Sequence, residues 1–96
     1  MRHTGKGQDL GSNTDRHLRR ILRDVLGLSD DRVRAFTAET GLFGHLPELD
    51  SMAVAGLLTE LEDRLDIVIE DDEIDGELLE TYGSLLAFAV AKRAET

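Results

Sequence analysis

The chain has 96 residues and a formal charge of −9, with no cysteine, no tryptophan and few aromatic residues. That length supports one domain, and an interior filled by Leu, Val, Ile and Ala favours helix on helix over a sheet sandwich. The missing cysteine excludes a disulfide framework and a thiolate metal site or nucleophile, and the acidity argues against nucleic acid or a membrane surface as partner.

Residues 1–13 are polar, carry Gly5, Gly7 and Gly11, and show no period. They are expected to be a disordered N-terminal tail ahead of a domain over residues 14–96. No apolar leader segment and no run of membrane length is present, which points to a cytoplasmic protein.

The first helix is predicted from Thr14, an N-cap candidate, to a stop at Gly27. Leu18, Ile21, Leu22, Val25 and Leu26 share one face at helical spacing. Arg16, Arg19, Arg20 and Arg23 cover the remainder as a solvated surface. Residues 28–50 form a long connection, in which Ser29 is placed to cap a short turn through Val33 and Phe36. Gly41, Gly44 and Pro47 punctuate it, and Leu42, Phe43, Leu46 and Leu49 are expected to pack it onto the core.

A second main helix is predicted from Ser51 to Leu65. Val54, Leu57, Leu58, Leu61 and Leu65 form its buried stripe, with Met52 and Ala55 alongside. Gly56 within it costs about 1 kcal/mol relative to Ala. Asp66–Ile69 reads as an extended link, and residues 71–78 as a short helix with Ile74 and Leu78 inward. Thr81 is the N-cap candidate for the last helix, whose apolar face is Leu85, Leu86, Ala89 and Val90. Lys92 and Arg93 suit its C-terminal dipole. The expectation is an all-α four-helix bundle, three main helices plus one short one, with a long first loop.

Charge is unevenly spread. Residues 1–34 sum to +3, whereas residues 60–80 hold eleven acids against Arg64 alone. A block of that density beside a helix speeds encounter with basic protein surfaces. Glu60, Glu62, Asp63 and Asp66 are the candidate partner-binding residues.

Ser51 is the candidate site. By itself Asp50-Ser51 is only a capping pair at a helix start. Its setting says more: an acid before it, the large apolar Met52 after it, a complete amphipathic helix beyond, and an acid block downstream. A phosphate ester on Ser51 would sit at a helix N-terminus, where free N–H groups and the dipole favour an anion. Asp50 is placed to cap the helix and to help hold a divalent ion during modification.

The order of elements resembles the acyl carrier protein family over residues 14–94. The resemblance is carried by Leu49-Asp50-Ser51-Met52, by Leu61-Glu62-Asp63-Arg64-Leu65, by the stretch from Ile67 to Glu73, and by Leu79-Glu80-Thr81-Tyr82-Gly83-Ser84-Leu85. The segment from Leu42 to Val54 resembles in particular stand-alone carriers associated with bacterial exosortase loci. The resemblance implies a 4′-phosphopantetheine ester on Ser51, with Asp50 and Met52 flanking it, and acyl or aminoacyl groups held on that arm as thioesters. It implies as partners a phosphopantetheinyl transferase and acyl-processing enzymes such as an acyl ligase or acyltransferase, and a monomeric carrier that is not itself an enzyme. Met52 stands where the family usually has Leu, a similar size. Ala53 and Gly56 replace residues that are often acidic or bulky in fatty-acid carriers. A medium-length acyl chain would then enter between the second and last main helices, near Leu61, Leu85 and Leu86.

Other readings are weaker. A small acidic interaction module with an inert Ser51 is the alternative. Ser84 also precedes an apolar helix, but only twelve residues follow it. Asp71, Glu73, Asp75 and Gly76 echo a calcium loop, but Tyr82 falls where a bidentate Glu is required. His3, His17 and His45 lack ligand spacing. A hydrolase built on Ser51 and His45 lacks an orienting group.

Overall fold

The computed structural model describes residues 6–95. Four α-helices make the fold: α1 (Lys6–Leu26), α2 (Asp30–Arg34), α3 (Ser51–Leu65) and α4 (Tyr82–Glu95), with a 3₁₀ turn at Asp71–Glu73. Among the described residues there is no strand, and a single antiparallel bridge pairs Gly41 with Thr81.

α1 packs against each of the other three helices. Leu18, Ile21 and Leu22 from α1 meet Leu57 and Leu61 from α3 and Leu85 and Ala89 from α4, all buried. The predicted start at Thr14 is wrong. α1 begins at Lys6, so residues 6–13 are helical, and the rest of the expected tail, residues 1–5, lies outside the described residues. Thr14 is fully buried inside the helix. Its hydroxyl and the Asn13 amide oxygen each accept from Arg93 of α4 at 2.9 Å, so a tertiary contact replaces the expected cap. At the other end Gly27 adopts φ +69, and the Leu28 N–H returns to the Arg23 carbonyl at 3.0 Å. This is the glycine-terminated stop anticipated for the helix.

The long loop is held at both ends. Ser29 caps α2 by accepting the Arg32 N–H. Arg19 of α1 donates to the Val33 and Arg34 carbonyls at the end of α2 and lies 4.8 Å above the Tyr82 ring. Further along, the Leu42 N–H donates to the Glu80 carbonyl, Phe43 to Leu79, Tyr82 to Thr40 and Gly83 to Ala38. These bonds stitch the loop to the start of α4. Gly83 permits the approach: a Cβ there would lie 2.8 Å from the Ala38 oxygen. Leu42 and Leu49 are buried as expected, but Phe43 is 48% exposed.

The expected short helix over 71–78 is a second correction. Only Asp71–Glu73 winds, as a 3₁₀ turn boxed by reciprocal Glu70 and Glu73 contacts. Asp75 then accepts the Glu77 and Leu78 N–H groups, a local turn that competes with helix. Crowded carboxylates oppose a helix there as well. Leu78 is buried, while Ile74 is 37% exposed and does not point inward. α4 begins as predicted, with Thr81 Oγ1 accepting the Ser84 N–H at 3.1 Å.

Candidate functional site

The chain enters α3 under tight local control. Leu49 is buried, and its N–H bonds to the Leu46 carbonyl at 3.0 Å. Upstream, Gly44 turns the backbone at φ +88, and the His45 and Leu46 N–H groups both return to the Leu42 carbonyl. Arg32 of α2 clamps Glu48 at 2.6 Å and holds its carboxyl below the usual carboxylate range. The next residue after buried Leu49 is Asp50. It is the N-cap of α3, and its Oδ1 accepts the Ala53 N–H at 2.8 Å.

Ser51 is therefore the first residue of α3, and it is exposed. The first-turn N–H groups of a helix have no partner within it, and they give this end a partial positive charge. An anion joined to the Ser51 hydroxyl would sit in that field. Met52 is 86% exposed, so it does not lie alongside the buried stripe as expected; nor does Ala55, which is also exposed. The core side of α3 is the narrower set Leu57, Leu61 and Leu65, with Val54 and Leu58 half-buried. Gly56 faces open space.

Two hollows adjoin Ser51 or the first turn of α3. An open groove of about 470 Å³ is lined by Phe43, Gly44, His45, Leu46, Pro47, Leu49, Asp50 and Ser51. A smaller slot of about 180 Å³ is lined by Phe43, Val54, Asp75, Gly76 and Leu79. The slot is walled mainly by apolar side chains and lies between the first loop, α3 and the 66–81 link. The expected cargo route near Leu61, Leu85 and Leu86 is separate from both hollows, and Leu61 and Leu85 are buried there as expected.

The four acids proposed for partner binding divide into two pairs. Glu60 is paired with Arg64 at 2.8 Å, and Arg64 also reaches Asp24 of α1. Glu62 accepts the Ile69 N–H at 2.8 Å and fastens the link to the end of α3. Asp63 and Asp66 are exposed, with no side-chain partner. Asp66 terminates α3 in the left-handed region at φ 56. Sequence spacing did not show that Glu62 is spent on the backbone, because its acceptor role depends on the turn after Asp66.

Ser84 sits in the first turn of α4, its hydroxyl accepting from Thr81. His45 shares the groove with Ser51, and no hydrogen bond joins the two. No cluster of His, Cys, Asp or Glu among the described residues is suited to a metal ion. His3 lies outside them.

The family model described as the phosphopantetheine attachment site matches residues 16–89. The chain belongs to the acyl carrier protein family. The solution structure of a holo acyl carrier protein from Nitrosomonas europaea is similar at 42% identity, covering 93% of this chain and 99% of that one, with a TM-score of 0.72. No curated protein matches. Family and fold together make this chain a carrier and not an enzyme, one that bears acyl groups on covalently attached phosphopantetheine. As a family member it interacts with a phosphopantetheinyl transferase and acyl-processing enzymes.

Proposed function

We propose that Ser51 is the attachment residue and that the carrier domain, expected over residues 14–96, also takes in the start of α1 at Lys6. The observation that carries the assignment is the exposed Ser51 at the first turn of α3, held there by the Asp50 cap and the buried Leu49. The hydroxyl is open to a transferase, and the helix end is suited to the phosphodiester that results. Asp50 stands beside it as the carboxylate able to help hold a divalent ion during transfer.

The arm carries acyl or aminoacyl groups as thioesters between a loading ligase or acyltransferase and later enzymes. The protein acts as a cytoplasmic monomer. Asp63 and Asp66 provide the free charge for basic partner surfaces, while Glu60 and Glu62 add to the field from fixed positions. The apolar slot at Phe43, Val54 and Leu79 receives the first methylenes of a cargo, each worth about 0.8 kcal/mol when buried.

Intact mass after incubation with coenzyme A and a broad-specificity phosphopantetheinyl transferase tests the assignment. The wild-type chain is expected to gain one phosphopantetheine, and Ser51→Ala none. A full gain in Ser51→Ala would move the attachment elsewhere.

A further inference from the structure

His45 is the one lining residue of the 470 Å³ groove that can carry positive charge; the only other ionisable lining group is Asp50. Asp50 is committed to the α3 cap. Glu48, the other carboxylate close in sequence, is held by Arg32. The His45 side chain is exposed and has no hydrogen-bond partner.

The imidazole lies against the Gly41 backbone. Its Cγ and Cδ2 lie 2.4 Å from where a Cβ on Gly41 would stand, so the ring rests directly on the Gly41 backbone. Gly41 is fixed by its bridge to Thr81, and its neighbour Leu42 bonds to the Glu80 carbonyl. The His45 N–H bonds to the Leu42 carbonyl at 3.0 Å. A side chain able to donate a hydrogen bond thus stands on a pinned segment, in the same groove as the hydroxyl that receives an anionic group.

We propose that His45 is a positioning residue for the prosthetic arm: its imidazole donates a hydrogen bond to a phosphodiester oxygen on Ser51 and lays the root of the arm along residues 43–49. The inference rests on Ser51 as the attachment residue. The helix N-terminus attracts the phosphate without choosing a side, since its N–H groups are arranged about the axis. A single donor to one side supplies that choice. Turning the arm toward the loop leaves Met52 and the exposed face of α3 clear for a partner enzyme. Charge-assisted bonds of this kind are shorter and stronger than neutral ones.

NMR titration of the His45 ring in apo and holo protein is the test, with complete conversion verified by mass and His17 as internal reference. An adjacent anion favours the protonated imidazole. The His45 ring is therefore expected to hold its proton to higher pH in the holo than in the apo protein, with His17 unchanged. The phosphodiester ³¹P resonance should titrate with the same midpoint, and His45→Gln should remove that titration. Gly41→Ala, which displaces the ring, should reduce the shift; were that variant not to fold, the apo–holo comparison on the wild-type chain and His45→Gln still decide. Equal His45 pKa values in fully converted and apo protein would overturn the inference. Failure of the mass gain itself would overturn the Ser51 assignment instead.

Discussion

The two connections that flank α3 are built on different principles. Residues 28–50 run from the end of α1 to the serine and are anchored throughout: by the Ser29 cap, the Arg32–Glu48 pair, buried Leu42 and Leu49, and backbone bonds to residues 79 and 80. Residues 66–81 carry most of the acid block. They share at residues 79–81 the bonds and bridge to the first loop, and before that are held by Glu62 to Ile69, Lys92 to Glu73 and the buried Ile67, Leu78 and Leu79. The first connection spends its residues on placing one hydroxyl. The second keeps Asp63 and Asp66 at its entrance free and presents a negative field. A carrier needs both, because its attachment point must be fixed while its partners change.

The sharpest way to test that contrast is to truncate one apolar side chain on each side. Leu42→Ala, at a site with no exposure, should cost about 2–5 kcal/mol in urea denaturation. Ile74→Ala, on the second connection, should cost less than about 1 kcal/mol because the side chain is already partly in water. Comparable losses would show that Ile74 packs as firmly as Leu42.

A smaller effect is expected from charge. Asp63→Asn with Asp66→Asn should slow phosphopantetheine transfer several-fold at low salt, and the deficit should close as ionic strength rises. Asn tolerates the left-handed conformation at position 66, so the fold is preserved. A rate unchanged at low salt would leave the acid block with solubility as its role.

The smallest expected effect concerns the tie from the second connection to α4. Glu73 is held below its ordinary pKa of 4.5, first by the Glu70 N–H and then by Lys92. A carboxyl depressed in the folded state stabilises above its unfolded value and loses that contribution as pH falls through the folded one. Glu73→Gln should therefore lower thermal stability slightly at pH 7, and the difference from wild type should vanish as pH drops below 4.5. A difference independent of pH would mean the tie is not electrostatic.

Much of this was legible in the residues. The span of α3, the Ser29, Asp50 and Thr81 caps, the Gly27 stop and the burial of Leu42 and Leu49 follow from short-range signals that the tertiary fold leaves intact. The start of α1 was not legible, because the polar stretch before Thr14 lacks an apolar period; Arg93, eighty positions from Asn13, contacts that stretch from α4. The missing helix at 71–78 turned on a competition that spacing cannot weigh: the Ile74 and Leu78 pattern suggests helix, and the Asp75 side chain takes the N–H groups instead. The exposure of Met52 was hidden for a related reason. It is apolar and adjacent to the stripe, yet it lies on the side of the first turn that faces solvent, while Ala53 and Val54 take the core side.

Tyr82 has a practical consequence. It is the sole tyrosine in a chain without tryptophan, and its hydroxyl donates to the Asp15 carboxylate while its ring lies against Phe36, with centroids 5.7 Å apart. Burial, reinforced by that carboxylate, pushes the phenol well above its ordinary pKa. The tyrosine fluorescence and the tyrosine absorption band of this protein thus come from one buried ring at the seam of α1 and α4. The chain contains its own optical reporter, and a change in that signal on loading cargo reads as movement at that seam.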